Sequence, residues 1–192
     1  MHILGLNAYH ADSSAAILRD GELIAAIEEE RFTRIKHWAG FPANAVQFCL
    51  QEAGITLDQV DYIGIGRDPR AKLFRKIKFT LQHPGIGINA ITSRLQNAQQ
   101  VSSLEHEFAK LNGITSTADQ VKKKIYQVEH HRAHLASAFF ASPFEEAALL
   151  SIDGSGDFTT TMLGHGKGNQ IDILDSIDFP HSIGIFYSAV TQ

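Results

Sequence analysis

The chain has 192 residues, 44% hydrophobic and 20% charged, with 17 basic against 21 acidic side chains for a net charge of −4. At this length a chain buries roughly 70% of its unfolded surface, so it needs no disulfide. Its single cysteine, Cys49, supplies none. The charge excludes a generally basic nucleic-acid binder. No apolar run approaches the roughly 18 residues of a membrane span, and the start lacks the basic flank of a signal peptide. Cytoplasmic, reduced surroundings are expected.

Ile3 to Asn7 predicts an apolar strand ending in the polar loop Asn7 to Ser14. Ala15 to Leu18 and Glu22 to Glu29 flank Asp20-Gly21, a hairpin signal, so the chain opens as a three-stranded meander. The charged run Glu28 to His37 reads as a solvated strand end and loop, in which Arg34, Lys36 and His37 can meet an anion. Pro42 opens a helix with Ala45, Val46, Phe48, Cys49 and Ala53 on its apolar positions, closed by Gly54; Cys49 is therefore a core residue. A strand follows over Tyr62 to Gly66. Pro69 to Leu111 is helical in pattern and broken near Pro84-Gly85, with Leu73, Ile77 and Leu81 and then Ile88, Ile91 and Leu95 in register. Its basic residues, Arg67 to Lys78, read as a solvated helix face.

Residues 124–129 predict a further strand, and Arg132 to Phe140 an alanine-rich helix stopped by Ser142-Pro143. The order βββαβαβα then begins again: Ala147 to Ile152 is an apolar strand ending in the glycine-rich loop Asp153-Gly154-Ser155-Gly156-Asp157, and Thr159 to Leu163, a turn over Gly164 to Asn169, and Ile171 to Ile177 follow. A helix starts near Ile183. The first copy occupies residues 3–143 and the second only 147–192, which marks a shortened repeat and suggests a fragment. The expected organisation is a mixed-sheet α/β lobe over residues 1–145 and the start of a second lobe over 146–192.

His130-His131-Arg132-Ala133-His134 stands at the start of a helix, where residues four apart share a face. His130 and His134 can thus converge on one ion, although ten histidines make such a spacing easy to meet by chance. Asp153, ending an apolar strand, completes a set of two imidazoles and a carboxylate suited to iron(II), zinc or manganese. The plainer alternative makes His130 a helix cap. In that alternative His131 is a solvated surface residue; turned about 100° from His130, it stands outside the metal set in either reading. The Asp-Gly-Ser-Gly-Asp loop is open to two readings, a tight turn or a phosphate cradle of backbone N–H groups. The loop Asn7 to Ser14 holds the same place in the first copy, with His10 and Asp12 at its mouth.

Several segments together resemble one family over nearly the whole chain. Ile3-Leu4-Gly5-Leu6-Asn7, His10 to Ala16, and Glu28 to Arg34 with Lys36-His37 look like the N-terminus of the NodU/TobZ/CmcH-type O-carbamoyltransferases. His130 to His134, Ala136 to Phe140, Ser142-Pro143-Phe144, Ser151 to Asp157 and Ser182 to Ser188 follow that family's later motifs in order. The resemblance implies a ribonuclease H-like, actin-like (ASKHA) fold related to the enzyme that threonylcarbamoylates tRNA adenosine. It implies a carbamoyl-adenylate substrate, made from carbamoyl phosphate and ATP by a separate C-terminal domain, and carbamoyl transfer to a hydroxyl of a sugar, antibiotic or similar acceptor.

Carried across by motif, His130, His134 and Asp153 match ligands of an Fe(II) ion, with a fourth ligand, an aspartate, expected from the rest of the second lobe. His10 is a candidate base or acceptor-orienting residue, and Lys36 a candidate holder of anionic or carbonyl oxygen. Gly154, Ser155 and Gly156, with Asp12, are candidates for the nucleotide. A fragment without the missing lobe and adenylate-forming domain is expected to be inactive alone. Two alternatives are a nucleotide- or metal-binding module without transfer activity and a tRNA-modifying relative, the latter disfavoured by the net charge.

Overall fold

The computed structural model describes residues 1–83, 104–111 and 117–191. By contacts the chain forms two units: Met1–Ile65 with the described part of His83–Gln127, and Gly66–Gln82 with Val128–Gln192. This is a different division from a lobe boundary at residue 145, because the helix over residues 130–140 groups with the second sheet. Among the described residues, no helix is long and apolar enough to cross a membrane.

The first unit is built on a five-stranded mixed sheet of order β3-β2-β1-β4-β5, comprising β1 (His2–Asn7), β2 (Ser14–Arg19), β3 (Glu22–Glu28), β4 (Tyr62–Ile65) and β5 (Ile125–Gln127). β1 to β3 form the expected antiparallel meander; β4 and β5 run parallel to β1. The tight β2–β3 turn needs left-handed backbone. Asp20 (φ 52°) and Gly21 (φ 89°) provide it. This is the ribonuclease H-like, actin-like lobe that the resemblance implies.

Successive strand residues face opposite sides of a sheet. Alternate residues Leu4, Leu6, Ala15, Ile17, Ile63 and Ile65 accordingly enter the core and meet Ala45, Val46, Cys49 and Leu50 of α2 (Ala43–Ala53). Each fully buried aliphatic side chain there contributes about 1.5–3 kcal/mol. Gly54 (φ 65°) ends α2 in the left-handed conformation, and its N–H and that of Ile55 close on the Gln51 and Leu50 carbonyls. Glycine is the usual residue at such a helix end, since it adopts this conformation without a Cβ penalty. Cys49 is buried, as expected, and its thiol is pushed up to about 11 by desolvation and by Glu52.

The charged run departs from expectation. It holds a one-turn helix, α1 (Glu30–Thr33), and Glu29 is only 2% exposed. Its carboxylate accepts from the backbone N–H groups of Asn44 (3.2 Å) and Ala45 (2.8 Å) and from Asn44 Nδ2 (2.7 Å). It thereby satisfies donors in the first turn of α2, which have no partner within the helix. The N-cap of α2, Pro42, gives no side-chain bond.

Two further helices of this unit, α4 (Leu104–Ala109) and α5 (Ala118–Lys124), add Leu104, Phe108 and Val121 to the same core. The Pro84-Gly85 break and the register of Ile88, Ile91 and Leu95 lie outside the described residues. Leu73, Ile77 and Leu81 belong to α3 (Leu73–Gln82), which groups with the second unit.

The second unit repeats the opening meander as an antiparallel sheet, β6 (Glu146–Gly156), β7 (Thr159–Lys167) and β8 (Gln170–Asp178). On one face Leu135 and Phe139 of α6 (His130–Phe140) pack against Leu149 and Met162. Gly164 and Gly166 let α6 lie close: a Cβ on Gly166 would meet the Phe139 ring at 2.7–2.8 Å. Ile183–Thr191 forms α7, which packs on β6 and β7.

Two details of this sheet differ from the sequence expectation. β7 runs through Gly164 to Lys167, where a turn is expected, and the chain reverses at Gly168 (φ 57°) instead. Asp153 to Gly156 belong to β6 across a register irregularity, and only Asp157-Phe158 turns the chain.

Candidate metal centre

His130, His134 and Asp153 come together within the second unit. His130 Nε2 lies 2.8 Å from Asp153 Oδ2 and 2.9 Å from His134 Nε2, and His134 Nε2 is 3.8 Å from the same carboxylate oxygen. The helix pairs the imidazoles, because residues four apart are neighbours on its surface. Their rings stand 4.5 Å apart at 88°. Irregular β6 supplies the carboxylate. An ion about 2.1 Å from each of three donors holds those donors roughly 3.0–3.4 Å apart, so the three separations need only small adjustments to suit one metal.

The donor chemistry points the same way. A neutral ring nitrogen carries either a proton or a lone pair, so His130 Nε2 does not donate to Asp153 and accept from His134 at once. A cation taking one lone pair from each of the three atoms satisfies the whole set. Two imidazoles and a carboxylate with open positions beside them is the pattern of iron(II) sites, and zinc or manganese also accept it.

The surroundings fix these atoms. Burial works against ionisation of Asp153, but the His130 ring and the Gly154 N–H, 2.6 Å from Oδ1, outweigh it and hold the carboxyl below its ordinary range. Hydrogen bonds to a charged form favour that form. Gly184 packs against the backbone of Asp153, where a Cβ would lie 2.5 Å from the carbonyl carbon and oxygen. Ser182 Oγ sits 3.0 and 2.8 Å from the carbonyls of Asp153 and Gly154 and accepts from Ile185 N–H, so α7 starts against this stretch of β6.

His131 is not a solvated surface residue: it is fully buried. Its Nε2 lies 3.0 Å from the Thr159 carbonyl, and its Nδ1 lies 2.8 Å from Ser151 Oγ. A carbonyl only accepts, so Nε2 carries the hydrogen and Nδ1 accepts from the serine hydroxyl. Desolvation lowers the pKa of His131 and keeps the ring neutral. His131 therefore pins α6 to β6 and β7 while His130 and His134 face Asp153. Its burial is hidden from periodicity because Ala133, Ala136 and Ala138 give α6 no strong apolar stripe.

The glycine-rich motif resolves differently from a loop. Gly154 and Gly156 sit outside the left-handed region, so neither is there to turn the chain. A Cβ on Gly156 would overlap Cγ and Cδ2 of the His130 ring, so glycine is required for that imidazole to lie across the strand. The Gly154 N–H is engaged by Asp153, and Gly156 pairs with Thr159 in the β6–β7 ladder.

The other candidates, His10, Asp12 and Lys36, belong to the first unit, and all three are exposed. The loop carrying His10 and Asp12 is ordered by its own backbone: Asn7 Nδ2 donates to the carbonyls of Ala11 and Asp12, and buried Ser13 Oγ reaches those of His10 and Gly40. Asp12 (φ 62°) and His37 (φ 55°) pair through Oδ1 and Nδ1 at 2.9 Å. His10 Nδ1 lies 3.4 Å from the Ala11 carbonyl.

Known proteins resemble this chain along nearly all of its length. An uncharacterized protein of Synechocystis sp., sll1178, is 44% identical over 195 residues, covering 99% of this chain and 31% of that protein. The nodulation protein NolNO of Sinorhizobium fredii is 33% identical over 186 residues, 94% of this chain and 25% of its own length. The chain thus spans under a third of either relative. Among solved structures, YeaZ from Pseudomonas aeruginosa is similar with a TM-score of 0.47 at 17% identity, covering 94% of this chain and 68% of YeaZ. The family model for the carbamoyltransferase N-terminus matches residues 2–192, and the chain belongs to that family.

Proposed function

We propose that this chain is the N-terminal part of an enzyme that transfers a carbamoyl group from carbamoyl-adenylate to a hydroxyl of a small acceptor such as a sugar or antibiotic. The observation that carries the proposal is the convergence of His130, His134 and Asp153 in a chain matching the family from residue 2 to 192. These residues would hold a divalent ion, iron(II) by preference, which supplies the charge that polarises a phosphate leaving group.

In the transfer the acceptor oxygen forms a bond to the carbamoyl carbon, the bond from that carbon to the phosphate oxygen breaks, and AMP departs. His10 takes the acceptor proton or orients the hydroxyl, and Lys36 holds an anionic or carbonyl oxygen. Ser155 and Gly156 offer backbone N–H groups to phosphate, and Asp12 contacts the nucleotide. His131 and Gly184 keep His130 and Asp153 in place and touch no substrate. Carbamoyl-adenylate itself is to be made from carbamoyl phosphate and ATP by a further domain of the full-length protein, and no nucleic acid or membrane takes part.

The test is transfer of label by the full-length protein. With Fe(II), ATP and radiolabelled carbamoyl phosphate, wild type is expected to place label on a hydroxylated small molecule from a panel of sugars, and a His130→Ala, His134→Ala variant is expected to lose this. Label appearing on tRNA instead, or metal binding with no transfer to any acceptor, would overturn the proposal in favour of a tRNA-modifying enzyme or a module without transfer activity.

A further inference from the structure

We propose that Asp157, together with the left-handed turn it begins, is the positioning residue that sets the metal ligand His130; this rests on the metal reading above. Asp157 Oδ2 accepts the backbone N–H of His130 at 2.9 Å and that of Asp68 at 2.7 Å. The N-cap of α6, Glu129, gives no side-chain cap bond. The first N–H groups of a helix need partners from outside it, and here the N–H of the ligand residue itself finds one in the turn between β6 and β7.

The turn that places this carboxylate is unusual in its residues. Gly156 pairs with Thr159 across a two-residue reversal, and both turn residues are left-handed, Asp157 at φ 51° and Phe158 at φ 80°. Such turns favour Asn-Gly or Asp-Gly, and a bulky phenylalanine there is strained. Strain of this kind persists only where the surroundings over-determine it. Here Phe158 is 4% exposed, with its ring 5.7 Å from that of Phe79 and 6.3 Å from that of Phe179, and Phe79 and Phe179 meet edge to face at 5.5 Å.

Three constraints therefore meet on His130. The Asp157 carboxylate fixes its backbone, the absent side chain of Gly156 admits its ring, and the aromatic seat of Phe158 fixes the turn beside both residues. These contacts link Phe179 to the metal position, and all lie within the second unit.

The experiment titrates Co(II) and Fe(II) into full-length wild type and the Asp157→Ala, Asp157→Asn and Gly156→Ala variants, with calorimetric affinity and the Co(II) visible spectrum as readouts. Circular dichroism reports folding. Asparagine keeps a carbonyl oxygen for both N–H groups and tolerates the left-handed turn. Asp157→Asn is therefore expected within a few-fold of wild type, and Asp157→Ala about tenfold to a hundredfold weaker with a shifted Co(II) spectrum. Gly156→Ala is expected to lose the His130 contribution, and it decides the matter if Asp157→Ala fails to fold. Wild-type affinity in a folded Asp157→Ala protein would overturn the positioning role while leaving the metal centre standing. Equal loss in Asp157→Asn and Asp157→Ala would replace the hydrogen bonds by charge and overturn it too. No binding by wild type would remove the metal reading itself.

Discussion

Glu29 and Asp157 do the same physical work in two different units. Each is a carboxylate brought from the end of a strand to the N-terminus of a helix that lacks a side-chain cap of its own, α2 in one case and α6 in the other. What differs is what the capped helix carries. The first turns of α2 present Ala45, Val46 and Cys49 to an aliphatic core, so Glu29 holds packing together. The first turns of α6 present His130 and His134 to Asp153, so on the proposed reading Asp157 holds the ligand set together. The same hydrogen bonds are a matter of stability in one unit and of ligand placement in the other.

That contrast breaks most visibly if the two carboxylates exchange their effects. Glu29→Ala leaves the N–H groups of Asn44 and Ala45 without their acceptor and is expected to cost about 1–3 kcal/mol, read as a lower urea midpoint with metal affinity unchanged. A Glu29→Ala protein that lost metal affinity while keeping its midpoint would contradict the division of roles.

His131→Phe is expected to cost about 1–3 kcal/mol as well, the usual penalty for leaving buried polar groups unmatched. The stranded groups are Ser151 Oγ and the Thr159 carbonyl. Urea unfolding compared with His131→Asn would show whether the lost hydrogen bonds or the altered shape is responsible.

A smaller, pH-dependent effect is expected at Asp178. Burial opposes its ionisation, but Lys72 and Arg75, both at 2.5 Å, win and hold the carboxyl below its ordinary range. A folded pKa below the unfolded value of about 3.9 gives stability that is present above that pH and lost as pH falls through the lowered value. The midpoint difference between wild type and Asp178→Asn should therefore be full at about pH 6 and shrink toward about pH 3; a difference that grew on acidification would reverse the sign. Smallest of all, His10→Ala should leave metal affinity unchanged, because His130, His134 and Asp153 supply the ligand atoms.

Much of this is legible in the residues. Alternation and Asp20-Gly21 specify the opening meander, Pro42 and Gly54 bracket α2, and the four-residue spacing of His130 and His134 with Asp153 at the end of an apolar run points to the triad that the fold assembles. The carboxylate that caps α2 is hidden in Glu28-Glu29-Glu30, where charge suggests solvent. The signal that finds it is alternation, since Ala25, Ile27 and Glu29 stand two apart along one strand and its end. The glycines of Asp153 to Asp157 mislead because glycine serves close approach as well as turning. Here the turn falls to Asp157 and Phe158, the latter a residue that turn chemistry does not suggest.

The central claim is that His130, His134 and Asp153 form one metal site. It is tested most directly by titrating Fe(II) anaerobically into the purified full-length protein and into its His130→Ala, His134→Ala variant, with folding of both verified. One site is expected in wild type, with an affinity lower by about a hundredfold or more in the variant. Equal affinity in the two folded proteins would contradict the claim.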